Sequence, residues 1–165
     1  MIEVKKIKNK FFLEENDFQS LNSKSFGNKI ASKFELNEYE VAFLIEKKKI
    51  KVFEKNSEFR IEDIMNKKEF DYNYYLVFKD LRTRGYIVKS GLKYGFVFRV
   101  YDKGIKLGDD HSLWLVDVYA ESNKIKLKDL SGKNRVSHTA KKKMLIGIVD
   151  DEGDVTYIEN NWKRV

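Results

Sequence analysis

The chain has 165 residues, of which 42 % are hydrophobic and 14 % aromatic, enough apolar material for a folded core and too much for disorder. It has no Cys, which excludes disulfides, thiolate zinc sites, iron–sulfur clusters and cysteine nucleophiles, and no apolar run approaches the length of a membrane span. Lys and Arg number 33 against 26 acidic residues, a formal charge of +7 that favours polyanionic partners, with nucleic acid the commonest. The N-terminus Met1-Ile2-Glu3-Val4-Lys5-Lys6 lacks the apolar stretch of a signal peptide, so a cytoplasmic location without membrane attachment is expected.

Two parts are expected, a small α+β domain over residues 1–69 and a second domain over 70–165. The second carries most of the positive excess, with 18 basic and 13 acidic residues, against 15 and 13 before residue 70. In the first part, Ile2 to Lys8 alternates as a strand, and Asn16 to Asn28 reads as loop or short helix. Asn37-Glu38-Tyr39-Glu40 has the pattern of a capping box, opening a helix to about Lys48 that buries Tyr39, Ala42 and Phe43. Ile50 to Phe53 reads as a short strand, and Ser57 as the cap of a helix from Glu58 to about Lys67.

In the second part, Asp71 to Arg84 is a helix with Tyr74, Val77, Phe78 and Leu81 on one face, stopped by Gly85. Tyr86 to Lys89, Gly95 to Tyr101 and Ser112 to Tyr119 read as strands, the last two separated by a loop from Asp102 to Asp110. Ile125 to Leu127 suggests an edge strand, Ser131 to about Lys142 a helix, and Met144 to Val149 a strand. The turn Asp150-Asp151-Glu152-Gly153-Asp154 leads to a hairpin partner, Val155 to Ile158. Strands mixed with few helices give an α+β or mixed α/β class.

The candidate chemistry is sparse. His111 stands before a strand and Tyr101 closes the preceding one, so pairing of the two strands would bring both to one mouth of the sheet. Lys141-Lys142-Lys143 ends the late helix, where cations also suit the helix dipole, and His138 shares a face with Lys142. After residue 70 no Asp or Glu has Lys two positions later, which speaks against a restriction-type metal nuclease, and two isolated histidines make no zinc site. No phosphate-binding glycine loop and no serine elbow occurs. Tyrosine, histidine and lysine together can cleave RNA without metal. The ribose 2′-OH attacks the adjacent phosphorus, and the protein supplies a base, an acid for the departing 5′ oxygen and a cation for the crowded phosphate. A histidine near its reference pKa of about 6.5 suits the acid role, whereas a tyrosine near about 10 needs a close cation to act as base.

From Leu81-Arg82-Thr83-Arg84-Gly85-Tyr86 through Gly91-Leu92-Lys93-Tyr94-Gly95, Phe98-Arg99-Val100-Tyr101, His111-Ser112 and Arg135-Val136-Ser137-His138-Thr139-Ala140-Lys141-Lys142-Lys143, the second part resembles the archaeal tRNA-splicing endonucleases of the short homotetrameric type. The resemblance covers about residues 70–158. It implies a restriction-endonuclease-like catalytic domain in which Tyr101 is the base, His111 the acid and Lys142 the transition-state cation. It also implies a precursor-tRNA substrate with a bulge–helix–bulge fold, products with 2′,3′-cyclic phosphate and 5′-hydroxyl ends, and no cofactor or metal in the chemistry. Arg135 falls on an arginine that holds a bulged base, with Arg164 the candidate for its partner. The acidic turn with Asp150, Asp151, Glu152 and Asp154 corresponds to a loop that docks on a neighbouring subunit. Two rivals stay open: a non-catalytic RNA-binding or assembly subunit, and a ribonuclease with His111 and His138 as the acid–base pair.

Overall fold

The computed structural model describes residues 1–105 and 111–165, and divides them into two compact units, Met1–Asp71 and Tyr72–Val165. Of the expected loop from Asp102 to Asp110, residues 106–110 lie outside the described part.

The first unit runs β1 (Ile2–Ile7), β2 (Lys10–Leu13), α1 (Glu15–Asn22), β3 (Asn28–Ile30), β4 (Lys33–Leu36), α2 (Glu38–Glu46), β5 (Ile50–Glu54), β6 (Ser57–Phe59) and α3 (Ile61–Met65). Its mixed sheet has the order β3-β4-β2-β1-β5-β6, in which β1 and β5 are parallel and the other pairs antiparallel. The capping box forms. The Asn37 side chain accepts from the Glu40 N–H (2.9 Å), and the Glu40 carboxylate accepts from the N–H groups of Asn37 and Gly27 (both 3.1 Å). Those bonds let a fully buried carboxylate sit beside Val41, Ala42 and Leu44 without an unsatisfied oxygen pair. The expected helix from Glu58 starts later. Lys55 takes a left-handed conformation (φ 56°) that turns β5 back into β6, and the helix opens only where Asp63 accepts from the Arg60 N–H (2.7 Å). Asn16 to Asn28 holds the helix α1 and then enters β3. The polar composition of that helix conceals its two buried residues, Phe18 and Leu21.

The second unit runs α4 (Tyr72–Thr83), β7 (Ile87–Ser90), one 3₁₀ turn (Leu92–Tyr94), β8 (Phe98–Tyr101), β9 (Trp114–Ala120), α5 (Leu127–Thr139), β10 (Lys143–Val149) and β11 (Val155–Asn160). Gly85, at φ 96°, ends α4 in a conformation that a side chain disfavours. The mixed sheet has the order β11-β10-β9-β8-β7, antiparallel except for β9 and β10, which α5 joins as a crossover. Phe78 and Tyr74 of α4 meet Phe98 on one face of the sheet, and Val77 packs over Gly147 on that same face. The other face holds Leu115, Met144 and Ile146, covered by Leu130 of α5 and by Ala140 just past its end. No strand forms at Ile125 to Leu127. The chain there leads into α5, which starts four residues earlier than its apolar pattern suggests.

The whole is an α+β fold. Among the described residues no helix is long and apolar enough to cross a membrane.

Candidate active site at one end of the second sheet

Register decides which residues meet. Val100 of β8 is paired with Trp114 of β9, and Trp114 with Lys143 of β10. Just past that row the Leu113 N–H donates to the Val100 carbonyl (2.8 Å), and the Lys143 N–H donates to the Leu113 carbonyl (3.0 Å). Tyr101 therefore ends β8, His111 stands three residues before β9 and Lys142 immediately precedes β10, all at the same end of the sheet. These positions lie far apart along the chain, and the register of three neighbouring strands places them at one end of the sheet.

Each residue sits differently there. Tyr101 is buried, and the guanidinium of Arg99, two residues back on the same face of β8, lies 5.5 Å from the centre of its ring. Arg99 Nε and Ser112 Oγ are both buried without a hydrogen-bond partner among the described residues. His111 is exposed. Lys142 is half-buried, and its ammonium stands 5.9 Å from the centre of the Tyr94 ring. Tyr94 is itself packed against the Leu115–Met144 core. The turn that carries Tyr94 is tight because Gly91 passes within 2.6 Å, measured from an ideal Cβ, of the Phe98 carbonyl oxygen, a space no side chain could enter.

α5 is tied to the middle of the sheet by a charge pair whose carboxylate is buried. Lys133 donates to the Asp117 carboxylate and to the Gly95 carbonyl (3.1 Å), and its ammonium lies 5.0 Å from the centre of the Phe96 ring. Asp117 also accepts from the Tyr119 hydroxyl (3.2 Å), and burial together with that carboxylate pushes the phenol up to about 12. On the other face, Trp114 Nε1 donates to Glu159 (2.9 Å), and Lys143 pairs with the same carboxylate (3.3 Å). The Trp114 bond in particular holds Glu159 below its usual range.

Beside Lys142 opens a cleft of about 340 Å³, lined by Asn134, His138, Lys141, Lys142, Lys143, Asn160, Asn161 and Trp162. The His138 and Trp162 rings pack at a tilt, with centres 4.2 Å apart and 31° between their planes. The Asn134 amide sits between the Asn160 carbonyl and the Trp162 N–H, oriented to donate to the first (3.0 Å) and accept from the second (3.1 Å). His138 thus packs against the tail. Arg135 is exposed on α5, and Arg164 is exposed two residues beyond Trp162 but does not line the cleft. Asp150, Asp151, Glu152 and Asp154 lie at the opposite end of β10 from Lys142, roughly 23 Å away at the usual rise of a strand. Asp150 folds this turn, since its carboxylate accepts from the N–H groups of Glu152 and Asp154 (both 2.9 Å).

Sequence reasoning gave no individual role to Tyr94 and Arg99, though both stand in the words that carry the resemblance, and it passed over Trp162. Trp162 carried a signal, an aromatic ring followed directly by Lys163 and Arg164. Arg99 carried one as well, because it stands two residues before Tyr101 in an expected strand and so on the same face; Tyr94 carried none, because its proximity to Lys142 comes from folding. Among the described residues no group of three or more His, Cys, Asp or Glu side chains could hold a metal ion.

Comparison with known proteins agrees with this division of the chain. Residues 72–157 match the catalytic C-terminal domain of tRNA intron endonuclease, and residues 7–65 match its N-terminal domain. The tRNA-splicing endonuclease of Thermococcus gammatolerans is 40 % identical over 159 residues, 93 % of each chain. Its namesake from Methanothermobacter thermautotrophicus is 40 % identical over 141 residues, covering 84 % of this chain and 83 % of that one. The enzyme from Methanococcus vannielii is 34 % identical over 159 residues, 92 % and 88 % of the two chains. With both domains matched in order and nearly full-length relatives at this identity, the chain belongs to the tRNA intron endonuclease family of enzymes.

Proposed function

We propose that this chain excises introns from precursor tRNA by cutting at bulge–helix–bulge junctions, with no metal in the chemistry. Tyr101 takes the proton from the ribose 2′-OH, whose oxygen attacks the neighbouring phosphorus. The bond from phosphorus to the 5′ oxygen breaks, His111 protonates that oxygen, and Lys142 offsets the charge on the non-bridging oxygens. The products carry a 2′,3′-cyclic phosphate and a 5′-hydroxyl. The observation that carries the reading is the register that gathers the ends of β8 and β10 and the approach to β9 in one place. Arg99, whose guanidinium lies 5.5 Å from the centre of the Tyr101 ring, is the candidate for the cation that a phenol acting as base requires.

Arg135 and the 42 %-exposed indole of Trp162 are the stacking surfaces for an unpaired base. Trp162 fits that task better than Arg164, because it borders the cleft beside Lys142.

The test is incubation of the chain with a bulge–helix–bulge RNA in EDTA, followed by analysis of the product ends. Cleavage with cyclic-phosphate ends is expected. Cleavage only after Mg²⁺ is restored rejects the metal-free route, and no cleavage under either condition favours a non-catalytic subunit.

The assembly we infer is a homotetramer, in which the acidic turn docks on a cationic surface of a neighbouring copy. Four carboxylates within five residues repel one another, and a cationic partner relieves them. A substrate with two cleavable bulges also calls for two active sites at a set separation, which symmetric assembly provides.

A further inference from the structure

The positive charge of this chain is concentrated in one place. Between Lys124 and Lys143 stand eight basic residues and one acidic residue, an excess as large as the formal +7 of the whole protein. Half of that set lies at or near the candidate active site. Lys124, Lys126 and Lys128 do not: they precede α5 or sit in its first turn, at the far end of the sheet, and all three are exposed.

Local stability does not account for them. Lys126 is the N-cap of α5 and makes no side-chain cap, and Lys128 follows in the first turn, where the helix dipole disfavours cations. Among the described residues none of the three is paired with a carboxylate, and neighbouring Asp129 joins none of them.

A second feature points the same way. The inward stripe of α5 is Leu130, Lys133 and Ser137, so Lys128, Gly132 and Arg135 fall on the outward side, with Gly132 between the two cations. A glycine in the middle of a helix weakens it relative to alanine, and here no atom of the protein comes within 4 Å of where a Cβ would be. Neither packing nor backbone conformation asks for glycine at this position. It leaves a bare patch of helix flanked by long cationic arms, open to close approach by a chain of phosphates.

We propose that Lys124, Lys126, Lys128 and the bare surface at Gly132 form a track for the RNA backbone, which follows the roughly 20 Å length of α5 past Arg135 to the cleavage end. It deepens the proposed function and rests on it: the occupant is the substrate's own double-helical arm beyond the cleaved bulge. The arm is held by its phosphates and without regard to sequence. The rival occupant is the acidic turn of a second copy. The continuity of the stripe with Arg135 and the active-site end favours RNA.

The experiment measures affinity for a bulged RNA with 2′-deoxyribose at the scissile positions, as a function of salt. Wild type is compared with Lys124→Gln/Lys126→Gln/Lys128→Gln, and cleavage of the all-ribose RNA by wild type is run as control. Loss of three phosphate contacts lowers the slope of log K against log salt by about 2 to 3. Trimming the RNA arm removes the difference between the two proteins. Gly132→Leu, which favours the helix, binds RNA more weakly while its Tm holds or rises. If wild type cleaves but the triple variant keeps its salt slope, or Gly132→Leu binds as wild type does, the track is overturned and the proposed function stands. A triple variant that binds RNA normally but falls apart into smaller species assigns these lysines to the acidic turn and also overturns the track. A wild type that neither binds nor cuts removes the functional reading, and the track with it.

Discussion

The ammonium of Lys142 stands 5.9 Å from the centre of the Tyr94 ring, and that ring is wedged against the core under α5. A flexible lysine is thereby given a platform at the mouth of the sheet, and the ring face, not the hydroxyl, makes the contact. A contact of this kind contributes about 0.5–1 kcal/mol, or roughly two- to fivefold in rate. Tyr94→Phe should therefore cleave like wild type, whereas Tyr94→Leu should lose that factor in kcat with little change in KM. Equal rates for the two variants would separate Tyr94 from the lysine.

Removing the proposed acid should act on chemistry more than on binding. His111→Ala is expected to slow cleavage by about 10²–10⁴, the usual contribution of a positioned acid or base. Affinity for uncleavable RNA should fall far less. Survival of activity in Tyr101→Phe, with its loss in His138→Ala, would transfer the acid–base roles to the two histidines.

The bond from Lys133 to Asp117 ties α5 to β9 across the face that carries the core. Asp117 is nearly inaccessible and Lys133 about a third exposed, so deleting the lysine strands a buried carboxylate. Lys133→Met should destabilise by about 3 kcal/mol, at the low end for broken buried pairs. The double change Lys133→Met/Asp117→Leu should recover most of that loss. Urea midpoints measure both, and an unshifted midpoint for the single variant would show the pair to be dispensable.

Alkaline pH should weaken the fold through Tyr119. Its folded pKa is raised to about 12 by burial and by Asp117, so its contribution is complete below the ordinary tyrosine value of about 10. That contribution is lost as pH climbs from about 10 towards 12, because the unfolded chain ionises first. Glu159 has the opposite sign: its lowered pKa gives stability above the ordinary carboxylate range that disappears as pH falls through the folded value. Thermal melts of Tyr119→Phe should show a smaller alkaline loss than wild type, and acid titration should change Trp114 fluorescence as its bond to Glu159 is lost.

Asp150 supports the acidic turn from within, so the docking proposal is best examined at its neighbours. Asp151→Asn/Glu152→Gln/Asp154→Asn keeps the turn's internal acceptor and removes three charges. A smaller mass in solution is expected, and an unchanged one rejects docking through this turn.

Much of the scaffold could be read from residue order alone. The Asn37 capping box, the Tyr74–Leu81 face of α4, its stop at Gly85 and the hairpin of β10 and β11 all depend on neighbours within a few positions. The resemblance that pointed to the family also lay in contiguous words of sequence. The short strands β2, β3 and β4 escaped because three or four residues carry too little periodicity to distinguish them from loop, and only their pairing partners make them strands. What tertiary structure alone decided is which side chains share a site. Whether Tyr94 lies under Lys142 and Trp162 along the cleft depends on strand register and on where α5 rests. Those are contacts between distant segments, selected by the total packing of the core, and no local pattern encodes them.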